Sequence, residues 1–176
     1  SLSYESIRRR FGIAGPCSFV DAACASSLAA MAVAVRRLQA NECDLVISGG
    51  IDFGLGVLTL LAFSGVQVLS GGVMNPFDAS TDGMNQGEAA ALFALMRLSD
   101  AKAKGFRIHG VIRNCDGSSD GINGGLVEPT ERGQVLAYER AYKDVPLEPL
   151  SYLECHGTGT KIGDRTELAS SAKFFH

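Results

Sequence analysis

Residues 17–50 read CSFVDAACASSLAAMAVAVRRLQANECDLVISGG and carry the pattern that indicates the fold class. The short apolar run at 17–23 predicts a strand, and the alanine-rich segment 28–38 is apolar almost throughout, which predicts a buried helix. Residues 45–47 predict a second short strand that glycines stop. A helix between two consecutive strands is the crossover that parallel strands need. This stretch therefore predicts an α/β protein with a largely parallel sheet.

The same alternation continues through the rest of the 176 residues, a length that suits one ordinary domain. The pattern predicts strands at 89–97, 108–113 and 152–155 and helices at 55–63, 99–105, 131–143 and 167–175. The chain has no starting methionine, and its last helical pattern is cut off in the middle. We therefore expect a piece of a longer protein.

Composition argues against several classes of protein. A net charge of -3 supplies no basic surface for nucleic acid or for an anionic membrane. No secretory leader opens the chain, and no apolar run reaches the roughly 18 residues of a membrane span. The five cysteines form no CxxC pair, which argues against a disulfide framework or a zinc site and favours a reducing compartment. We expect a cytoplasmic protein without a nucleic-acid partner or a membrane span.

Cys24 is the strongest candidate for a nucleophile, because it stands where a predicted strand turns into a predicted helix. The residues around it, 22–26, are small and leave its sulfur uncrowded. Unpaired N–H groups and the positive end of a helix dipole stabilise a thiolate, and the same groups can hold an oxyanion. A free cysteine is otherwise a small buried hydrophobe. The position of Cys24 favours the functional interpretation.

His156 ends a predicted strand and enters a loop of glycines and threonines, residues 157–160. The glycines let the backbone approach a ligand, and the hydroxyls can bind a polar chain. The alternative is a histidine that merely satisfies the loop, and the residues alone favour neither. The interval between Cys24 and His156 also fits a papain-like hydrolase, but the local signature of those proteases is absent around Cys24. A cysteine hydrolase is the weaker alternative.

Two motifs resemble those of the β-ketoacyl synthases, the condensing enzymes of fatty-acid and polyketide assembly. VDAACASS at 20–27 is similar to their active-site cysteine motif, and HGTGT at 156–160 is similar to their histidine loop. Shorter matches lie between them in the family's order: ECD at 42–44, SGG at 48–50, PFD at 76–78, DG at 82–83, GE at 87–88 and RLSDA at 97–101. The resemblance covers residues 12–175.

The resemblance implies a thiolase-like fold, a layered α/β/α/β/α architecture that is usually a homodimer. It implies that residues 1–176 are a partial ketosynthase domain, the end of its N-terminal half and the start of its C-terminal half. Only a central portion of the fold would then be present. The family's second histidine and its lysine lie beyond His176, and we expect the isolated piece to be inactive.

The resemblance also implies a reaction, the decarboxylative Claisen condensation, in which an acyltransferase forms a carbon–carbon bond. Cys24 would carry the acyl chain. His156 would be one of two histidines that promote decarboxylation of a malonyl unit and stabilise the resulting enolate.

Four further residues match the family's pattern. Thr158 and Thr160 match threonines that contact the phosphopantetheine arm of an acyl carrier protein. Asp164 and Glu167 match acidic residues that support the site from behind. The resemblance implies that no cofactor and no metal is bound, since the substrates are carried on phosphopantetheine of the carrier protein, which is the expected partner.

Some positions depart from the usual pattern. SSDG at 118–121 replaces Asn-Gln-Asp-Gly, and Lys161 and Arg165 stand where modular polyketide synthases usually have prolines. At these positions the chain is more similar to iterative polyketide or polyunsaturated-fatty-acid type synthases than to modular ones. Two alternatives stay open: a cysteine-dependent thioester hydrolase or acyltransferase, and a non-catalytic ketosynthase-like partner subunit. The presence of Cys24 argues against the second.

The remaining signals are expected to be structural. Asp21 should shape the turn before Cys24, the other cysteines should pack in the core, and the loop carboxylates should be solvated rather than bind a cation. The residues concerned are Cys17, Cys43, Cys115 and Cys155 for the cysteines, and Asp78, Asp82 and Glu88 for the carboxylates.

Overall fold

The computed structural model describes residues 2–122, 128–147 and 149–176. In chain order the elements of this part are α1 (Leu2–Phe11), a 3₁₀ turn (Ala23–Ala25), α2 (Ser26–Gln39), β1 (Val46–Asp52), α3 (Val57–Gly65), β2 (Ala89–Leu95), α4 (Leu98–Ala103), α5 (Glu131–Ala141) and α6 (Lys161–Phe175). None of the helices in these ranges is long and apolar enough to cross a lipid bilayer.

The chain divides into two compact units. The first combines Ser1–Ile51 with Ala89–Cys115, and the second combines Asp52–Glu88 with Asp116–His176. The predicted site residues are distributed over both, since Cys24 belongs to the first unit and His156 to the second.

The two strands of the first unit, β1 and β2, approach so closely that a side chain is excluded between them. A Cβ at Gly49 in β1 would lie 2.0 Å from the carbonyl oxygen of Ala91 in β2. At the next residue, Gly50, a Cβ would lie 2.8 Å from the Cβ of Ser27. Gly50 therefore lets the N-terminal turn of α2 lie directly against β1, which positions the segment that carries Cys24.

Arg97, which follows β2, forms hydrogen bonds to the C-terminal end of α2 and to the turn after it. Its guanidinium donates to the carbonyl oxygens of Leu38 at 3.1 Å and Cys43 at 2.7 Å, and it pairs with Asp44 and Asp100. The hydrogen bond to Asp44 is the main cause that raises the pKa of Arg97, and Asp100 adds to it. The planar fork of an arginine can satisfy several acceptors at once, here two carbonyl oxygens and two carboxylates.

In the second unit, α5 and α6 pack against each other through aromatic rings. Their ring centroids lie 5.2–5.7 Å apart in the pairs between Tyr138 or Tyr142 and Phe174 or Phe175. Ser170 of α6 is fully buried and donates to the amide oxygen of Gln134 at 2.5 Å. Of these two helices, α6 supplies the carboxylates that hold residues 156–160.

Three predicted strands, at 17–23, 108–113 and 152–155, are wrong for the described chain, because these residues are irregular there except Ala23, which begins the 3₁₀ turn. Their composition suits a strand, but a strand forms only where a neighbouring backbone offers hydrogen bonds, and within the described ranges the sheet contains β1 and β2 alone. The strands predicted at 45–47 and 89–97 are confirmed. β1 continues through its glycines to Asp52 instead of stopping at them. The largely parallel character of the sheet stays a prediction.

The predicted helices form with shifted ends, but burial was overestimated. In α2 the buried residues are Ala34 and Leu38, while Leu28 is 62% exposed, so the helix is half-buried rather than buried. The expected core packing of the other cysteines is also wrong: Cys17 is exposed, and Cys43, Cys115 and Cys155 are half-buried free thiols. A pattern of apolar residues tells which face can be buried, whereas burial itself depends on what packs there.

Replacing Gly49 by alanine is expected to destabilise the chain, because the new Cβ would press on a backbone oxygen of the paired strand. Overpacking of this kind lowers the free energy of unfolding by about 1–3 kcal/mol. Gly87→Ala is the matched control, since a Cβ there meets nothing within 4 Å. Urea unfolding followed by circular dichroism should show a lower midpoint for Gly49→Ala only. Equal midpoints would contradict the close approach of β1 and β2.

Candidate active site

Cys24 lies in the 3₁₀ turn directly before α2, and side-chain hydrogen bonds hold that turn. Asp21 Oδ1 accepts from the N–H of Ala23 at 3.1 Å, which confirms that Asp21 shapes the turn. Ser26 Oγ accepts from the N–H of Ala22 at 2.8 Å and donates to the carbonyl oxygen of Ala23 at 2.6 Å. The backbone on either side of the sulfur is therefore fixed.

The turn contains a strained residue next to the candidate nucleophile. Ala23 has a φ of +50°, a left-handed conformation that costs a residue with a Cβ about 1–2 kcal/mol. Cys24 itself is an exposed free thiol. Ala25 is the N-cap of α2 and makes no side-chain cap, and the N–H of Ser26, the first residue of the helix, donates to the carbonyl oxygen of Ala23. An exposed sulfur at this end of a helix is well placed to act as a nucleophile.

The histidine loop, residues 156–160, is held from α6 by Glu167. One carboxylate oxygen, Oε1, accepts from the N–H of His156 at 2.5 Å, and Oε2 accepts from the N–H of Gly157 at 2.8 Å. Glu167 is only 9% exposed, and hydrogen bonds to a charged acceptor are stronger than those between neutral groups. Glu167 thereby fixes the backbone that carries the exposed side chain of His156.

Asp164 lies one turn earlier on the same face of α6 and holds the next part of the loop. Its Oδ1 accepts from the N–H of Gly159 at 3.0 Å, and its Oδ2 accepts from the N–H of Phe77 at 2.6 Å. Asp164 is 4% exposed. One buried carboxylate therefore joins the histidine loop to the preceding loop of the same unit, residues 74–83.

The glycines of the histidine loop are required by its backbone. Gly157 and Gly159 have φ values of +53° and +68°, in the left-handed region that favours glycine. A Cβ at Gly159 would also lie 2.6 Å from the carbonyl oxygen of Gly83. The glycine spacing of this motif thus serves a tight turn against the 74–83 loop.

The two threonines of the loop mark the start of α6. Thr160 Oγ1 accepts from the N–H of Gly163 at 3.2 Å, which makes Thr160 the N-cap. Thr158 Oγ1 lies 3.0 Å from Thr160 Oγ1. This cap is the reason that α6 begins at Lys161, although the apolar pattern predicts a helix only from Glu167.

The structure gathers five of the six predicted site residues around one loop of the second unit: His156, Thr158, Thr160, Asp164 and Glu167. The sixth, Cys24, lies in the first unit. That the sulfur of Cys24 and the imidazole of His156 come together stays a prediction.

Sequence reasoning missed two residues that hold these segments, Ser26 and Thr81. Ser26 carries a detectable signal, because a serine beside a helix start commonly bonds to the local backbone. Thr81 donates from Oγ1 to the carbonyl oxygen of Gly159 although the two residues are 78 positions apart. No local pattern indicates a bond over that separation.

Comparison with known families gives this geometry a context. The family model for the β-ketoacyl synthase N-terminal domain matches residues 6–101, more than half of the chain. The chain belongs to the β-ketoacyl synthase family. The model for the family's C-terminal domain matches residues 109–176, so the two models together account for nearly the whole β-ketoacyl synthase chain.

Curated relatives include large synthases. One polyunsaturated fatty acid synthase polypeptide from Thraustochytrium sp. is 40% identical over 168 residues, which are 94% of this chain and 6% of that protein. A highly reducing polyketide synthase from Aspergillus luteorubrus is 38% identical over 168 residues, 94% of this chain and 5% of that one. The β-ketoacyl synthase chain therefore spans a small fraction of the length of these relatives.

Solved structures confirm the expected thiolase-like fold class. The ketosynthase from module 6 of the bacillaene synthase of Bacillus subtilis 168 matches with a TM-score of 0.92 and 32% identity. The match covers 97% of the β-ketoacyl synthase chain and 32% of the solved one. The chain thus has the fold of a portion of a ketosynthase.

Cys155 precedes the histidine of this β-ketoacyl synthase chain and has an environment that suppresses thiolate formation. Its partial burial raises the pKa of the Cys155 thiol, and the carboxylates of Glu167 and Glu154 raise that pKa further. Since the thiolate is the reactive form, Cys155 is a poor nucleophile although it lies beside the loop.

Cys155 is expected to react with iodoacetamide several-fold more slowly than the exposed Cys17 near neutral pH. A raised pKa leaves a smaller thiolate fraction near neutral pH, and the fraction grows as the solution is made alkaline. Peptide mass spectrometry at both pH values should show the larger gain at Cys155. In Glu154→Gln, which removes one of the two charges, the reaction near neutral pH should be faster. A pH-independent ratio of the two rates would contradict the assignment.

Replacing Glu167 by glutamine is expected to loosen the histidine loop. A glutamine offers one acceptor oxygen and one NH₂ group to the two N–H donors, so one N–H loses its partner. The free energy of unfolding should fall by about 1–3 kcal/mol, and the amides of His156 and Gly157 should exchange faster with deuterium. Glu139→Gln is the control, because that carboxylate lies exposed on α5. Unchanged amide exchange in Glu167→Gln would contradict the hydrogen bonds from His156 and Gly157 to the two carboxylate oxygens.

Proposed function

We propose that the chain is the central portion of a ketosynthase domain, comprising the end of its N-terminal half and the start of its C-terminal half. The complete domain catalyses the decarboxylative Claisen condensation of an acyl-cysteine thioester with a malonyl extender on a carrier protein. The observation that carries the proposal is the exposed free thiol of Cys24 on a fixed turn at the start of α2, in a chain of this family.

The first step of the proposed reaction loads an acyl group onto Cys24. The thiolate attacks the carbonyl carbon of the carrier-bound thioester, a new carbon–sulfur bond forms, and the carrier's thiol leaves with the proton that Cys24 gave up. The sulfur of Cys24 is exposed at the N-terminal end of α2 and open to attack on the thioester. A thiolate is also a good leaving group, which the second step requires.

The second step forms the carbon–carbon bond. A malonyl thioester loses CO₂, and the electron pair of the broken bond becomes an enolate whose oxygen accepts a hydrogen bond from His156. The enolate carbon attacks the Cys24 thioester, Cys24 leaves as a thiolate, and the lengthened β-ketoacyl chain stays on the carrier. The hold of Glu167 on the His156 backbone keeps the imidazole in place for this step.

Thr158 and Thr160 are the proposed contacts for the phosphopantetheine arm. Their hydroxyl oxygens lie 3.0 Å apart at the N-terminus of α6, and both residues are half-buried. Asp164 and Glu167 support the loop from behind through its backbone. The proposal includes an acyl carrier protein as partner, a homodimeric and cytoplasmic enzyme of the iterative polyketide or polyunsaturated-fatty-acid type, and no bound cofactor or metal.

Loading is tested with the complete ketosynthase domain that contains this chain and an acyl thioester of a carrier protein. Intact-protein and peptide mass spectrometry should find the acyl group on Cys24, and Cys24→Ala should abolish it. Cys17→Ala is the matched control, since Cys17 is also an exposed free thiol. Acyl transfer to Cys17, or a burst of free acid without any need for the carrier protein, would contradict the proposal and favour a hydrolase.

Condensation is tested by adding a malonyl carrier protein to the loaded domain. His156→Ala should still load Cys24 but should form β-ketoacyl product at least tenfold more slowly, because the enolate oxygen loses its donor. Chromatography of the released product measures both rates separately. Equal condensation rates in His156→Ala and the unaltered domain would exclude the assigned role.

A further inference from the structure

Thr81 is a buried polar residue with a distant partner. It is 7% exposed and lies in the 74–83 loop, where its N–H donates to the carbonyl oxygen of Asp78 at 3.1 Å. Its hydroxyl donates out of that loop, to the carbonyl oxygen of Gly159 in the histidine loop. A buried hydroxyl that donates to a carbonyl oxygen of a second loop holds the two loops together.

The peptide groups around Gly159 are held on both sides. The N–H of Gly159 donates to Asp164 at 3.0 Å, and its carbonyl oxygen accepts from Thr81. Asp164 also accepts from the N–H of Phe77, which belongs to the same loop as Thr81. Three hydrogen bonds, through Asp164 and Gly159, and the backbone from Phe77 to Thr81 thus form a closed ring between the two loops.

Close packing leaves Gly159 little room to move once this ring is closed. A Cβ at Gly159 would lie 2.6 Å from the carbonyl oxygen of Gly83 and 3.3 Å from Thr81 Oγ1. Two side chains make these hydrogen bonds, Asp164 and Thr81, and Thr81 is the uncharged one, so its hydroxyl can be removed without leaving a buried charge unpaired.

We propose that Thr81 is a positioning residue for condensation, acting on His156 through the carbonyl of Gly159. The inference rests on the proposed function. His156 is only three residues from Gly159, and a small displacement of a group that serves the transition state lowers the rate strongly. Thr81 belongs to the unit of His156 and not to that of Cys24, so its loss should slow condensation strongly and acyl loading, which uses the neighbouring threonines but not His156, only slightly.

The test uses the complete ketosynthase domain with Thr81→Val, which keeps the shape of threonine and removes the hydroxyl. Loading of Cys24 by an acyl carrier protein should stay within about twofold of the unaltered domain, whereas condensation with a malonyl carrier protein should fall about tenfold. Thr81→Ser restores the hydroxyl and should recover most of the condensation rate. Ser80→Ala is the matched control, because the Ser80 hydroxyl bonds Asp78 within its own exposed turn.

Each outcome decides between the inference and its alternatives. Equal condensation in Thr81→Val and the unaltered domain would overturn the inference, as would a parallel loss of loading and condensation or a failure of Thr81→Ser to recover. If Thr81→Val does not fold, Thr81→Ala measured beside Thr81→Ser makes the same comparison. Failure of the unaltered domain to load Cys24 would overturn the proposed function instead, and the two failures are therefore distinguishable.

Discussion

Two buried carboxylates on α6, those of Asp164 and Glu167, determine the shape of the histidine loop. Four backbone N–H groups converge on them, from Phe77, His156, Gly157 and Gly159. A buried carboxylate is stable only when its oxygens accept hydrogen bonds, and a buried N–H needs an acceptor as well. The helix supplies acceptors for the N–H groups of the loops, and the loops supply donors for the carboxylates of the helix. Neither can therefore take its position without the other. The position of the His156 backbone follows from this mutual requirement.

The same device recurs at the start of α2, where Cys24 is displayed. There the acceptors come from side chains beside the turn, Asp21 and Ser26, and they stabilise a backbone that includes the strained Ala23. Cys24 lies in the turn directly before α2, and His156 begins the loop that leads into α6. Side-chain oxygens hold the backbone at both places, and these hydrogen bonds fix where each candidate residue starts from the backbone.

Local patterns predicted the helices better than the strands. The alanine-rich segment of α2 and the periodic segment of α5 contain their own hydrogen-bond partners, so composition suffices to place them. The segments 108–113 and 152–155 have strand-like composition but depend on a neighbouring backbone, which lies elsewhere in the chain. Thr160 shows the same limit at a helix end: its capping bond adds nearly two turns that the apolar pattern of α6 does not reveal.

The amino-acid sequence by itself indicated Cys24 and His156 as the candidate nucleophile and imidazole, because a cysteine among small residues and the motif HGTGT are local features. It also determined the family through the order of those motifs. Only the tertiary structure decided that the hydroxyl of Thr81 donates to the carbonyl oxygen of Gly159 and that Asp164 accepts from backbone N–H groups of two loops. Those bonds connect residues 78 and 87 positions apart. Their formation depends on how the loops pack, and no local propensity encodes such distances.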